Sequence, residues 1–206
     1  MPVSEKPYYE VEGIRYPRVT SILSILRDPD VEDWYARLGD KAAKAKRHHA
    51  ERVGTTLDEL VKRQVAGQTV VAPKSASSEV KQGWKAWREY RDLSGEQFTV
   101  GYPKTSERWG YGGCADLLNA TGVTDIKATT RLRPKHWIQV MSYVPLYFSE
   151  DQWDKVAVTL IRLDTFLGTA QWEIKPFDRT IWETFLKLKD VYGQWFMTPE
   201  EPHANK

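Results

Sequence analysis

The chain has 206 residues, 41% hydrophobic and 28% charged, which suits one soluble globular domain large enough to bury a core. A formal net charge of +2 and an isoelectric point near 8.5 are too mild to mark a nucleic-acid binder by themselves, so local clusters must carry any such reading. The single cysteine, Cys114, excludes an internal disulfide and a cysteine-built zinc or iron–sulfur site, and no apolar run is long enough to span a membrane.

Residues 1–17 place Tyr8, Tyr9, Val11, Ile14 and Tyr16 around Gly13 and read as an extended entry or a short hairpin. Thr20 or Ser21 is expected to cap a short helix whose apolar face is Ile22, Leu23, Ile25 and Leu26, ended by Asp28-Pro29-Asp30. Residues 31–38 form a second short helix carrying Trp34. Residues 40–66 read as one long helical region, with Gly54 as its weak point. Its first half is basic (Lys41, Lys44, Lys46, Arg47, Arg52), either as a solvated face or as a phosphate-contacting one. His48 and His49 are adjacent, point apart on a helix and make a poor metal pair. Residues 67–78, with Pro73, form an exposed connection. Residues 79–93 set Val80, Trp84, Trp87 and Tyr90 at helical spacing, a core stripe rather than a base-stacking one. Residues 97–105 alternate as one strand through Phe98, Val100 and Tyr102, and Glu107 follows as an exposed turn residue. Beyond the central stretch, residues 155–163 are a buried strand. Residues 169–174 are its partner around Gly168, and 177–196 form an amphipathic closing helix before a polar tail at 198–206. This order predicts an α/β fold: helices on both sides of a mixed central sheet of about four or five strands, with an N-terminal helical elaboration.

The chemistry concentrates between Asp116 and Tyr143. Leu117 and Leu118, then Val123 and Ile126, read as two short strands joined by a tight turn over residues 119–122. Such a hairpin brings Asp116 and Asp125 together at one end of a sheet. Asp125 and Lys127 then share one strand face, while Ile126 points into the core. Two carboxylates beside one lysine suit a hard divalent ion, which takes oxygen ligands, with the lysine orienting a water or a phosphate. An isolated Asp-x-Lys is more commonly a solvated surface pair. Arg131, Arg133, Lys135 and His136 cluster at the start of the next helix, where a phosphate could sit. Gln139 and Tyr143, four apart, share a face of that helix. Cys114, with no base beside it, reads as a small strand residue.

The pattern Gly113-x-x-Asp116, then Asp125-Ile126-Lys127, then Gln139-x-x-x-Tyr143 resembles the RecB-like branch of the PD-(D/E)XK nuclease superfamily. Within it, the pattern looks like phage-type single-domain exonucleases and the mitochondrial genome-maintenance exonuclease. The resemblance implies one domain with a restriction-endonuclease-like core at about 95–197 and the helical part at about 18–94. It implies Mg2+ or Mn2+ held by Asp116, Asp125 and the Ile126 carbonyl, with Lys127 positioning a water or the scissile phosphate. Gln139 and Tyr143 would orient DNA, and Arg131, Arg133 and Lys135 would hold the flanking strand. The run of Tyr16, Pro17, Val19, Thr20, Ile22 and Leu23, with Trp34 after it, also resembles the opening of phage-type members. Residues 52–60 resemble the family's first motif, Gly-Thr-x-x-His, except that Asp58 stands at the histidine position. It is either a third metal ligand or a helix-surface residue. Relatives often carry a glutamate in the strand where this chain has Gly101. Some relatives hold an iron–sulfur cluster, which this chain lacks the cysteines to build.

The activity this implies is metal-dependent hydrolysis of DNA phosphodiesters, as an exonuclease. It would act in the cytoplasm of a phage's host or a bacterium, and the partner would be DNA, with a single-strand annealing or recombination protein by analogy. Two other classes stay open: an endonuclease or nickase with the same site, and a DNA-binding protein that keeps the fold without cutting.

Overall fold

The computed structural model describes residues 6–27 and 29–196, without the side chains at 30, 31 and 34. Asp28 as a helix stop, the side chain of Trp34, residues 1–5 and the tail at 198–206 lie outside the described residues.

The chain enters through a hairpin, β1 (Tyr8–Val11) and β2 (Ile14–Pro17), in which Tyr9 pairs with Tyr16. Its two turn residues, Glu12 at φ 51° and Gly13 at φ 81°, are both left-handed, as a tight hairpin with right-twisted strands requires. The short helix α1 (Val19–Ile22) runs into a single 3-10 turn over Leu23–Ile25. Its N-cap is Arg18, without a side-chain bond, not Thr20 or Ser21. Val19 and Ile22 are fully buried, so packing rather than capping sets where it starts. α2 (Pro29–Leu38) and α3 (Asp40–Val65) follow. α3 passes through Gly54 unbroken, because Val53, Leu57, Leu60 and Val61 bury one face on either side of it. α4 (Ser78–Ser94) is capped by the Ser77 hydroxyl, which accepts from Val80 N–H, and is closed by Gly95 at φ 63°.

The strand expected over 97–105 is two strands in two sheets. β3 (Thr99–Val100) joins the main sheet, and β4 (Lys104–Ser106) pairs with β5 (Tyr111–Gly113). Pro103, with no N–H and a fixed φ, lies in the break between them. Among the described residues the main sheet has five strands. β6 (Leu117–Asn119), β7 (Gly122–Ala128), β8 (Ala157–Leu163) and β9 (Ala170–Pro176) complete it in the order β3-β6-β7-β8-β9. Only β7 and β8 run parallel, and α5 (Pro134–Tyr147) is the crossover between them. α6 (Arg179–Phe196) closes the chain.

Each sheet face carries its own core. Val123, Val158 and Leu160 pack with Val140, Met141 and Val144 of α5 and with Trp182 and Phe185 of α6. Leu117, Ile161 and Leu163 face Leu57 and Val61 of α3 and Trp84, Trp87 and Tyr90 of α4. The period-two alternation along β7 therefore sends Ile126 to the α3–α4 core, and Asp125 and Lys127 to the α5 side.

Candidate active site

The β6–β7 hairpin builds the site. Asn119 Oδ1 accepts from Thr121 N–H at 3.0 Å, which holds the turn. Leu117 then pairs with Thr124, so Asp116 comes opposite Asp125. Asp116 Oδ2 accepts the Ile126 N–H at 2.7 Å. On an extended strand one residue's N–H and C=O leave on the same side, so the Ile126 carbonyl also faces the Asp116 flank of β7. Asp125 is 1% exposed, and its Oδ2 lies 2.7 Å from Lys127 Nζ. At that distance the lysine ammonium is the direct partner of the buried carboxylate. From α5, Gln139 Nε2 donates to Asp125 Oδ1 at 3.1 Å and to Tyr143 Oη at 2.9 Å. The Tyr143 ring packs where a Cβ on Gly113 would stand, 2.7 Å from its nearest carbon. A glycine before Asp116 thus makes room for the tyrosine behind it.

The electrostatics are unbalanced toward negative charge. Burial first, then the Asp125 charge, pushes the Asp116 carboxyl up to about 7, against the pull of Lys127 and the Ile126 N–H. Burial raises Asp125 as well, with Lys127 opposing. Burial disfavours the Lys127 ammonium, but Asp125 and Asp116 outweigh it and hold the lysine charged. Burial and both carboxylates raise the Tyr143 hydroxyl well above its ordinary value, so it stays protonated.

Asp58 reaches this neighbourhood, and its charge raises both Asp116 and Asp125. Its own carboxylate is engaged by Lys62, with Oδ2 2.7 Å from Nζ. Among the described residues no three His, Cys, Asp or Glu side chains stand together as a ready metal cluster. Lys62 is a second cation of the site that the sequence hid. It is half-buried and held charged by Asp58 and Asp116 against burial. An Asp and a Lys four apart on a helix read as ordinary surface, and only the position of Asp58 within residues 52–60 hinted otherwise.

The basic cluster is only partly cationic. Arg131, Arg133 and Lys135 line a groove with Arg27, Leu132 and Ile138 at the start of α5. Burial, Arg133, Arg47 and Lys127 lower the Lys135 ammonium, so Arg47 of α3 stands within electrostatic reach of this groove. His136 plays a different part: its Nδ1 accepts the Arg133 N–H at 3.2 Å, which ties down the first turn of α5. Burial first, then Lys127, Lys135 and Arg133, push it down to about 4, so it is a neutral acceptor. His48 and His49 pair with Glu51 and Glu79 respectively, away from each other. Burial raises the Cys114 thiol, which leaves it a poor nucleophile. Glu107 is exposed in the turn after β4. A Cβ on Gly101 would stand 1.9 Å from the Ala115 carbonyl oxygen. No side chain fits at this position, directly after β3.

No family model and no curated protein matches the chain. Solved structures match its outline. An alkaline exonuclease from Laribacter hongkongensis is 12% identical, with 86% of this chain and 85% of that one covered and a TM-score of 0.48. The protein SSO0001 is 12% identical, over 92% and 80% of the two chains, with a TM-score of 0.46. A phage-related exonuclease from Haemophilus somnus is 13% identical, over 91% and 92%, with a TM-score of 0.41. At such values no residue role and no activity passes from those proteins to this chain, and the reading of the site rests on its own groups.

Proposed function

We propose that this chain is a metal-dependent deoxyribonuclease that hydrolyses DNA phosphodiesters as an exonuclease. The observation that carries this is buried Asp125 opposite half-buried Asp116, which accepts the Ile126 N–H, with Lys127 against Asp125 and more negative than positive charge around them. Two neighbouring carboxylates, with the Ile126 carbonyl on the Asp116 side of β7, suit Mg2+ or Mn2+, which commonly takes one or two carboxylates and completes its shell with water and phosphate. When bound there, such an ion supplies a water of lowered pKa and neutralises charge on the phosphate.

The protein groups do the rest. Lys127, charged and half-buried, holds the attacking water or a non-bridging phosphate oxygen close to Asp125. Gln139 fixes the Asp125 carboxylate through Oδ1, leaving Oδ2 for a cation. Tyr143, protonated, keeps Gln139 in that rotamer through their shared bond. Arg131, Arg133 and Lys135, beside the site, hold the flanking strand by its phosphates.

The test uses end-labelled linear and closed circular DNA, with Mg2+, Mn2+ or EDTA. Metal-dependent loss of linear DNA with intact circles is expected, falling at least about a thousandfold in Asp125→Ala and Lys127→Ala. Full activity in both variants would sink the assignment. Cut circles would turn the reading to an endonuclease. A second reading, a binder that does not cut, is favoured by the pairing of Asp58 with Lys62. Its mark would be a DNA gel shift without cleavage under either metal.

A further inference from the structure

β9 lies at one end of the main sheet, and among the described residues no strand pairs along its outer edge. Two backbone bonds fix which residues face that edge. Asp164 N–H donates to Thr169 and Phe177 N–H to Val156. The alternation of an antiparallel ladder then turns the odd residues of β9 toward β8. Trp172 and Ile174 therefore point N–H and C=O outward, and Pro176 only its C=O. Their side chains are open as well: Trp172 is 37% exposed and Ile174 53%. A long edge of outward backbone beside apolar side chains is a template for another strand.

The charges on β9 say which strand. A lone lysine guards an edge, because an added strand must desolvate it or meet its like. Here Glu173 lies two residues from Lys175, on the same face, in an exposed ion pair at 3.7 Å. We infer that a second copy of this chain adds to β9, antiparallel about a two-fold axis through Ile174, so that the sheets of two protomers become continuous. In that register Glu173 stands opposite the second copy's Lys175, and Lys175 opposite its Glu173. Both Ile174 residues meet at the axis and exchange backbone bonds, and each Trp172 N–H reaches the facing Pro176 carbonyl. Centring the axis on Glu173 or on Lys175 instead sets like charges face to face. The strand is thus self-complementary in this register, which is what an isologous dimer requires. Nuclease activity plays no part in this inference.

Sedimentation of the full chain across a wide concentration range tests it, and a reversible dimer is expected. Glu173→Lys alone, or Lys175→Glu alone, is expected to raise the dimer dissociation constant about tenfold or more. The double exchange restores opposite charges across the axis and is expected to return the wild-type value. Both side chains are exposed, and a melting curve for each variant separates lost association from lost folding. A wild-type monomer at every concentration overturns the inference. So does a dimer indifferent to the single exchanges, or one that the double exchange fails to restore.

Discussion

A histidine in a basic cluster is readily counted as one more phosphate ligand, and His136 shows why the count goes wrong. Its Nδ1 accepts the Arg133 N–H, a bond that only the neutral ring can make. Protonation would also set a fourth positive charge among Lys127, Lys135 and Arg133. Its folded pKa is depressed below the unfolded one, so the stability it contributes is present above the ordinary histidine range. That contribution is lost as pH falls through about 4. An NMR titration of the ring is expected to show a midpoint close to that value, and a midpoint in the ordinary histidine range would remove His136 from its capping role. Arg131, Arg133 and Lys135 are left as the cationic members of the cluster.

The central elements were legible from local chemistry. Asn119 to Gly122 is a turn sequence between apolar pairs, so the hairpin and the meeting of Asp116 with Asp125 follow from it. The split of residues 97–105 was only partly legible. Pro103 marks a weak point in their strand-like alternation, but the approach of Gly101 to Ala115, which sends the two halves to different sheets, is a long-range contact. Nor does spacing reveal that Lys62 faces the carboxylates, since that depends on how α3 rolls against the sheet. Two glycines turn this into opposite expectations. Gly101 donates its N–H to the Asp116 carbonyl at 3.0 Å, and a Cβ there would overlap the Ala115 carbonyl. Gly101→Ala is expected to destabilise by about 1–3 kcal/mol and to displace Asp116, so that cleavage falls with it. Gly54 lies inside α3 with open space where a Cβ would go. Gly54→Ala is expected to stabilise by about 0.5–1 kcal/mol, from helix propensity and a less flexible unfolded chain. Thermal melts of the two variants check both signs. A Gly101→Ala variant as stable as wild type would show that β3 yields without cost. Cleavage lost in the more stable Gly54→Ala would show that bound DNA approaches that backbone.

At the scale of the molecule, two cores clamp the sheet from both faces, and the carboxylates are ionisable groups held within that clamp. Folding must therefore accommodate their charge. Asp116 has its folded pKa raised to about 7, above its ordinary range near 3.8. A raised pKa contributes stability that is fully present below the unfolded value and is lost as pH rises through the folded one. Without a divalent ion, Asp116 thus weakens the fold progressively on going from acid to neutral pH. His136 works in the opposite sense over part of that range, so the pH course of wild-type melting mixes the two. A metal titration separates them, because the His136 contribution is common to melts with and without the ion. A cation that binds ionised Asp116 and Asp125 competes with the proton at low pH and meets a preformed charge at high pH, and it stabilises the native state by mass action. The rise in melting temperature on adding Mg2+ is expected to be larger at pH 8 than at pH 5.5. It is expected to be largely lost in Asp125→Asn, which keeps the shape of the side chain and removes its charge. Equal shifts at both pH values, or an undiminished shift in the variant, would show that Mg2+ binds elsewhere. In that event the excess charge between β6 and β7 would be a cost of the fold without a cation to relieve it.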